Sequence, residues 1–191
     1  MYVGLHTASL PQVLAEARQR IVLHMALYAE FGRMPALAEA LHTALAQPTF
    51  RRLQMITVPL ASRRGWVDEF LHALRPDLTA VQMGHEFAAS RDFIVRLAVR
   101  HEGLVEVYET HALPCAPCII VDDRILFGHY AHSPVPMEQG FWFSVAAPMD
   151  ELFAWAETGV LPRDATPRHR AAFRFVCDCR NAMRQAKRML L

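Results

Sequence analysis

Apolar residues along the first third of the chain follow two patterns that alternate. They recur at helical spacing over residues 10–20, and residues 21–27 are then apolar nearly throughout, as in a strand buried on both faces. A second helix is predicted over residues 34–46 and a second buried strand over residues 53–60. Strand, helix and strand with short connections predict a βαβ unit with parallel pairing, so this part is expected to be α/β.

The rest of the chain predicts shorter elements. Helices are expected over residues 65–74, 87–101 and 150–158, and strands over residues 104–109 and 140–145. Thr166-Pro167 predicts the start of a C-terminal helix, with threonine as the N-cap and proline as the first helical residue. The residues expected on its apolar flank are Phe173, Val176, Cys177, Met183 and Leu190.

A hairpin is predicted over residues 118–127, and its surroundings carry the most information. Two runs of mainly β-branched residues flank the turn Asp122-Asp123-Arg124, and Gly128 follows. Acidic residues are favoured in such turns because their carboxylates bond nearby backbone groups.

The residues around this hairpin resemble the phospholipase D superfamily. In that family H-x-K-x4-D leads into a hairpin and G-S-x-N follows it. The same spacing here gives Cys115-x-Pro117-x4-Asp122 and then Gly128-His129-Tyr130-Ala131. The aspartate and the glycine are present, whereas the histidine, lysine, serine and asparagine are replaced.

The resemblance implies a fold and a partner. It covers residues 1–160 and implies an α/β domain with a mixed sheet flanked by helices. Residues 163–191 are expected to form a separate basic helical tail. Family members bring two such halves together, and this chain has room for one half, so the resemblance implies a homodimer.

A thioredoxin fold is the rival architecture. Residues 116–128 also fit its second half, in which a proline precedes two strands and a glycine. A redox protein of that kind is expected to carry Cys-x-x-Cys after its first strand, and the first cysteine here is Cys115. The rival therefore lacks its defining motif.

Composition limits the class of protein. The chain has 191 residues, of which 53% are hydrophobic and 20% charged, which indicates a globular protein. No apolar run is long enough for a membrane span, and the N-terminus lacks a signal-peptide pattern, so a cytoplasmic location and no membrane partner are expected. The single lysine is Lys187, so residues 1–186 offer no catalytic lysine.

Candidate catalytic residues lie around the hairpin. The resemblance implies a nucleophile at Cys115 and an orienting carboxylate at Asp122, but Pro117 supplies no charge where the family has lysine. His111, His129 and His132 are further candidates, because imidazole can act as nucleophile or acid near neutral pH.

The four cysteines could pack as ordinary thiols, bind zinc or take part in redox chemistry. Cys115 and Cys118 form one pair, and Cys177 and Cys179 form another. Paired cysteines suggest zinc or redox chemistry, but Cys-x-Cys is tighter than the spacing that zinc sites normally use. We favour ordinary packing and expect no metal or cofactor.

Charge is distributed unevenly. Residues 163–191 hold eight basic and two acidic side chains, a net charge of +6, whereas the other 162 residues have a net charge of −5. The candidate nucleic-acid contacts are Arg168, Arg170, Arg174, Arg180, Arg184, Lys187 and Arg188. Docking of this helix on the domain, or dimerisation through it, is the alternative.

The sequence therefore favours a non-catalytic phospholipase D-like module for binding, regulation or interaction with a partner protein. One alternative is a divergent phosphodiesterase or nuclease that uses His111, His129 and His132. A second is a nucleic-acid-binding protein acting through the basic helix, and a third is a structural subunit of an assembly.

Overall fold

The computed structural model describes residues 1–61, 63 and 65–189, so Leu190 lies outside the described residues. The strands are β1 (Tyr2–Val3), β2 (Arg20–His24), β3 (Arg52–Thr57), β4 (Val105–Glu109), β5 (Cys118–Val121), β6 (Arg124–Phe127), β7 (Phe141–Ala146) and β8 (Lys187–Arg188). The α-helices are α1 (Leu10–Ala15), α2 (Ala29–Arg33), α3 (Pro35–Leu45), α4 (Trp66–Leu74), α5 (Ala80–Arg100), α6 (Met149–Thr158) and α7 (Pro167–Gln185).

The described strands form one mixed sheet in the order β1-β7-β6-β5-β2-β3-β4-β8. Strands β2, β3 and β4 are parallel, and the remaining pairs are antiparallel. The parallel strands confirm the predicted βαβ unit, and β5 and β6 confirm the predicted hairpin. The sheet is flanked by helices, which confirms the predicted α/β fold class.

The two faces of the sheet pack against different helices because side chains alternate along each strand. Ile21 and Leu23 of β2 join a core with residues of α1, α3 and α5. Val22 of β2 joins a second core with residues of α6 and α7. A smaller cluster lies beyond the ends of β2 and β3, where Val58 packs with residues of α4 and the start of α5.

The first predicted helix ends earlier than its apolar pattern suggested. We expected it over residues 10–20, but α1 ends at Ala15 and β2 begins at Arg20. The carboxylate of Asp122 accepts hydrogen bonds from the backbone N–H groups of Arg18, Gln19 and Arg20, at 2.7, 2.9 and 2.9 Å. These contacts hold the connection extended, so it cannot continue the helix.

Helix α5 begins seven residues before its predicted start at residue 87. Thr79 and Gln82 form a capping box, in which each side chain accepts a hydrogen bond from the other residue's backbone. Such a box stabilises the first turn of a helix. This polar capping signal lies before residue 87, where the sequence predicted the start of the helix.

The C-terminal segment is not helical throughout. Thr166 caps α7 as predicted, since its hydroxyl accepts a hydrogen bond from the N–H of His169. The helix ends at Gln185, and Lys187 and Arg188 then pair with β4 as an edge strand. No helix among the described residues has both the length and the apolar content needed to cross a membrane.

The contacts of Asp122 generate a stability prediction. Asp122→Asn is expected to lower the free energy of unfolding by about 2 kcal/mol, because its amide replaces one of two acceptor oxygens and removes the charge. Asparagine tolerates the positive φ of 46° at this position, so backbone strain stays unchanged. Urea unfolding measures the change.

The matched control is the neighbouring Asp123→Asn. Asp123 Oδ1 accepts one hydrogen bond, from the N–H of Met149 at 3.1 Å, and an amide oxygen can replace it. We expect this change to cost less than about 1 kcal/mol. Equal losses in the two variants would contradict the role given to Asp122.

Candidate functional site

The candidate site lies at the edge of the sheet where the parallel strands end. His24, the last residue of β2, pairs in register with Cys118, the first residue of β5, and Cys118 pairs with Phe127 at the end of β6. Open α/β sheets bind ligands beyond the carboxyl ends of their parallel strands. The residues just past these strand ends are therefore the place to look for chemistry.

His24 is buried between the sheet and α7. Its Nδ1 atom lies 3.5 Å from Oδ2 of Asp178 and 3.8 Å from Sγ of Cys179. Burial alone lowers the pKa of His24, but the hydrogen bond with Cys179 and the charge of Asp178 raise it by more, so the net pKa lies above the ordinary value of 6.5. Its Nε2 atom is buried and has no hydrogen-bond partner among the described residues.

The cysteines beside His24 are buried free thiols. Cys118 and Cys179 are both buried, and neither forms a disulfide. The hydrogen bond with Cys118, together with burial, raises the pKa of Cys179 well above its ordinary value. Because the thiolate is the nucleophile and metal ligand, a thiol held protonated at neutral pH is suited to neither role.

Cys115 stands at the entrance of the hairpin, where the resemblance implies the nucleophile. It is exposed, and the charge of Asp178 raises the pKa of its thiol, with burial and a hydrogen bond to Asp178 adding to the rise. The charge of Arg174 opposes this shift but does not cancel it. Cys115 is therefore not activated.

Pro117 occupies the position of the family's lysine. It is buried and lies against Gly128, the residue that matches the glycine of G-S-x-N. A Cβ atom on Gly128 would lie 3.2 Å from the Trp142 ring and 3.4 Å from the Pro117 ring, so the packing leaves little room for a side chain. The glycine is thus explained by close packing.

Asp122 lies at the opposite end of β5 from Cys115. Its carboxylate is occupied by the three backbone N–H groups that precede β2. These partners lie more than 100 positions away in the sequence, so the structural role of the aspartate is long-range and differs from the local turn bonding that the sequence predicted.

The three candidate histidines have different surroundings. His111, His129 and His132 are all exposed, and His129 lines a cleft that His111 and His132 do not line. In the part of the chain that the structure describes, no three His, Cys, Asp or Glu side chains are grouped so as to hold a metal ion.

The cleft lies beside the strand ends and has a volume of about 620 Å³. One wall is formed by residues 26–37, a second by residues 5–11 and a third by residues 129–140, and Leu74, Arg75 and Glu86 complete the lining. Its volume falls within the range of about 300–1,000 Å³ that is common for small-molecule sites. It is the place at this end of the sheet where a ligand would fit.

The cations of the cleft are already paired. Arg33 contacts Glu30 at 3.0 Å and also forms an ion pair with Glu86. Arg75 lies 3.4 Å from Asp77. The guanidinium groups therefore face carboxylates of the protein and are not left to bind a phosphate.

Tyr130 is an aromatic residue of the cleft wall. Its ring packs edge-on against Phe70, with the ring centroids 5.5 Å apart. Burial raises the pKa of its hydroxyl, and the nearby Cys118 and Asp178 raise it further. The hydroxyl is buried, and its contact with the Ala26 backbone partly opposes the rise in its pKa.

The seven basic residues predicted as nucleic-acid contacts divide into two groups. Four have acceptors within the chain. Arg170 donates to the backbone carbonyls of residues 162, 163 and 165, and Arg184 donates to those of residues 156 and 157. Arg180 pairs with Glu157, and Arg188 pairs with Glu106. Arg168, Arg174 and Lys187 are exposed and form no ion pair with another described residue.

His24, Asp178 and Glu138 were not among the site residues that the sequence predicted. The signal for His24 was available, because a histidine inside an otherwise apolar strand run must find a partner or remain unsatisfied. Nothing in the sequence joined it to Asp178, since 154 positions separate the two. Glu138 lies in an irregular segment between β6 and β7, where no periodicity indicates burial.

Comparison with known proteins gives matches among solved structures. No family model and no curated protein matches the chain. The archaeal chromatin protein TrmBL2, which binds DNA, is similar at a TM-score of 0.50 and 10% identity over 98% of this chain, which spans about half (53%) of the TrmBL2 chain.

Two further solved structures, Nuc and NucT, are similar to this chain. Nuc from Salmonella typhimurium, a phospholipase D family member, matches at a TM-score of 0.49 and 10% identity, over 96% of this chain and 90% of its own. NucT from Helicobacter pylori matches at 0.49 and 10% identity, over 94% and 87%. Identities this low indicate a likeness of fold alone. The chain has a mixed α/β fold with helices flanking the sheet, and this fold is similar to that of TrmBL2.

Proposed function

We propose that this chain is a non-catalytic phospholipase D-like module that acts by binding. The observation that carries the proposal is the state of the hairpin entrance. The charge of Asp178 raises the pKa of the Cys115 thiol there, and the buried Pro117 stands where the resemblance implies a lysine.

Phosphodiester cleavage sets requirements that this end of the sheet does not meet. The reaction needs a nucleophile in its reactive form and fixed positive charge for the transition state. The buried His24 is engaged by Asp178 and Cys179, so it is not offered to a substrate. Arg33 and Arg75, the two arginines that line the cleft among the described residues, are paired with carboxylates and are not free to bind a phosphate.

The hydrolytic alternative depends on His111, His129 and His132. Only one of these three, His129, lines the cleft, and neither of the others contributes to its walls. This separation favours binding over catalysis.

A phosphodiesterase assay tests the proposal. The purified protein is expected to release p-nitrophenolate from bis(p-nitrophenyl) phosphate no faster than buffer, because nucleophile and cation are both missing. Turnover that His129→Ala abolishes, while the exposed control His85→Ala retains it, would contradict the proposal and support the divergent phosphodiesterase.

A homodimer belongs to the same proposal. The resemblance implies two halves, and the β1–β7 edge offers an apolar row for a second copy. Val3 pairs in register with Phe141, and Val3, Phe141 and Phe143 are 58, 50 and 41% exposed. Sedimentation equilibrium on the assayed sample is expected to give twice the chain mass of 21.7 kDa, and a monomer would remove this part of the proposal.

Nucleic-acid binding through α7 is a second candidate function. It is favoured by the exposed side chains of Arg168 and Arg174, which form no ion pair among the described residues. Exposed guanidinium groups on a helix with a net positive charge suit phosphate contacts.

A retention assay with duplex DNA tests this second candidate. If α7 contacts phosphates, the double variant Arg168→Ala/Arg174→Ala is expected to reduce the slope of log affinity against log salt by about 2. Arg180→Ala is the matched control, because Arg180 is paired with Glu157 at 3.0 Å. An unchanged slope in the double variant, or no retention at low salt, would exclude α7 as the contact surface.

A further inference from the structure

The cleft combines apolar walls with a partly buried carboxylate, and phosphate binding does not explain this combination. Its walls are largely apolar, and the apolar side chains that line it include Leu10, Phe31, Leu37, Leu74 and Met137. Glu138 also lines this cleft, and its side chain is partly buried. A carboxylate in apolar surroundings normally requires a partner of opposite charge.

Glu138 is held in place by its own segment. It is the middle residue of a short 3-10 helix, Met137–Gln139. The carbonyl of Met137 accepts a hydrogen bond from Nε1 of Trp142 at 3.0 Å, and the carbonyl of Gly140 accepts one from the N–H of Gly4 at 2.8 Å. Both ends of the turn are thus tied to the sheet edge.

Gly4 is required for that attachment. Its φ is +80°, and a Cβ atom there would lie 2.7 Å from the His6 ring. A side chain at this position would be strained and would clash. The backbone therefore presents Glu138 to the cleft from a fixed position.

The Glu138 carboxylate has no side-chain partner within the described part of the chain. It takes part in no ion pair or side-chain hydrogen bond there. Burial raises its pKa and a hydrogen bond with its own backbone opposes that rise, while the charge of Glu30 adds to it and Arg75 and Arg33 partly offset it. Those two arginines are engaged by other carboxylates, so neither completes the site.

The charge of the cleft is that of a cation site. Apart from histidines, its ionisable side chains are Glu30, Arg33, Arg75, Glu86 and Glu138, which carry a net charge of −1. An anion entering the cleft would meet an excess of carboxylate, whereas a monovalent cation would neutralise it. Burial of the cation against apolar walls strengthens that attraction, because the local dielectric is low.

We propose that the cleft binds a small organic cation, a primary amine that carries an apolar or aromatic body. The ammonium group bonds the Glu138 carboxylate, and the body lies against Met137 and Tyr130, which line the cleft and are partly exposed. This inference rests on the proposed binding function and gives it a ligand class. The proposed site prefers a cation, whereas a phosphodiester site binds an anion.

Three probes with one common body test the inference on the full-length protein. They are 2-phenylethylamine, 2-phenylethanol and 2-phenylethyl phosphate, titrated by calorimetry. The amine is expected to bind at least about 10-fold more tightly than the alcohol, since a charge-assisted hydrogen bond to a partly buried carboxylate contributes that much. The phosphate is expected to bind more weakly than either.

Variants assign the preference to Glu138. Glu138→Gln is expected to bring the amine and the alcohol within about 2-fold of each other, whereas Glu39→Gln, which removes an exposed carboxylate of α3 outside the cleft, keeps the full preference. If Glu138→Gln does not fold, as judged by circular dichroism, Glu138→Asp retains the charge and is expected to retain part of the preference.

Equal binding of amine and alcohol, tighter binding of the phosphate, no binding, or an unchanged preference in Glu138→Gln would overturn the inference. The phosphodiesterase assay separates this failure from failure of the proposed function. No turnover together with no amine binding rejects the ligand class and leaves a non-catalytic module. Turnover with or without amine binding rejects the non-catalytic module itself.

Discussion

The contact of His24 with α7 determines which groups are available to a ligand at the carboxyl ends of the parallel strands. A histidine at the end of a buried parallel strand lies where an α/β protein normally meets its ligand. Here Asp178 and Cys179 of α7 lie against its Nδ1 atom, and the second core packs around them. The imidazole nearest to the strand ends is therefore part of the interior. The proposed binding is therefore assigned to the cleft beside it, where Glu138 supplies a carboxylate.

That contact depends on a second one, at the other end of the sheet. The Asp122 carboxylate binds three successive backbone N–H groups before β2 and so fixes how β2 meets β5. A shift of one residue in that register would turn every side chain of β2 to the other face. His24 would then face the α3 side instead of α7. The aspartate that resembles a catalytic-motif residue thus has a structural role that suffices to explain it.

The sequence predicted the elements whose signals are local, and failed where the cause is distant. The apolar run of residues 21–27, the hairpin turn and the Thr166 cap each carry their information within a few residues. The early end of α1 could not be predicted, because Asp122 lies more than 100 positions away from Arg18. The same applies to the partner of His24 on α7. Glu138 was missed because its burial follows from the attachments of Gly4 and Trp142 to its segment, not from any periodicity.

The most direct test of this account is the NMR titration of the His24 ring, assigned by its loss in His24→Gln. We expect a pKa above 6.5 in the wild type, lowered by Asp178→Asn and unchanged by Asp164→Asn. A raised folded-state pKa means that the stabilisation is complete below the unfolded value and is lost as the pH rises through the folded one. A His24 pKa at or below 6.5, or one that Asp178→Asn leaves unchanged, would contradict the burial of this histidine in a charged contact under α7.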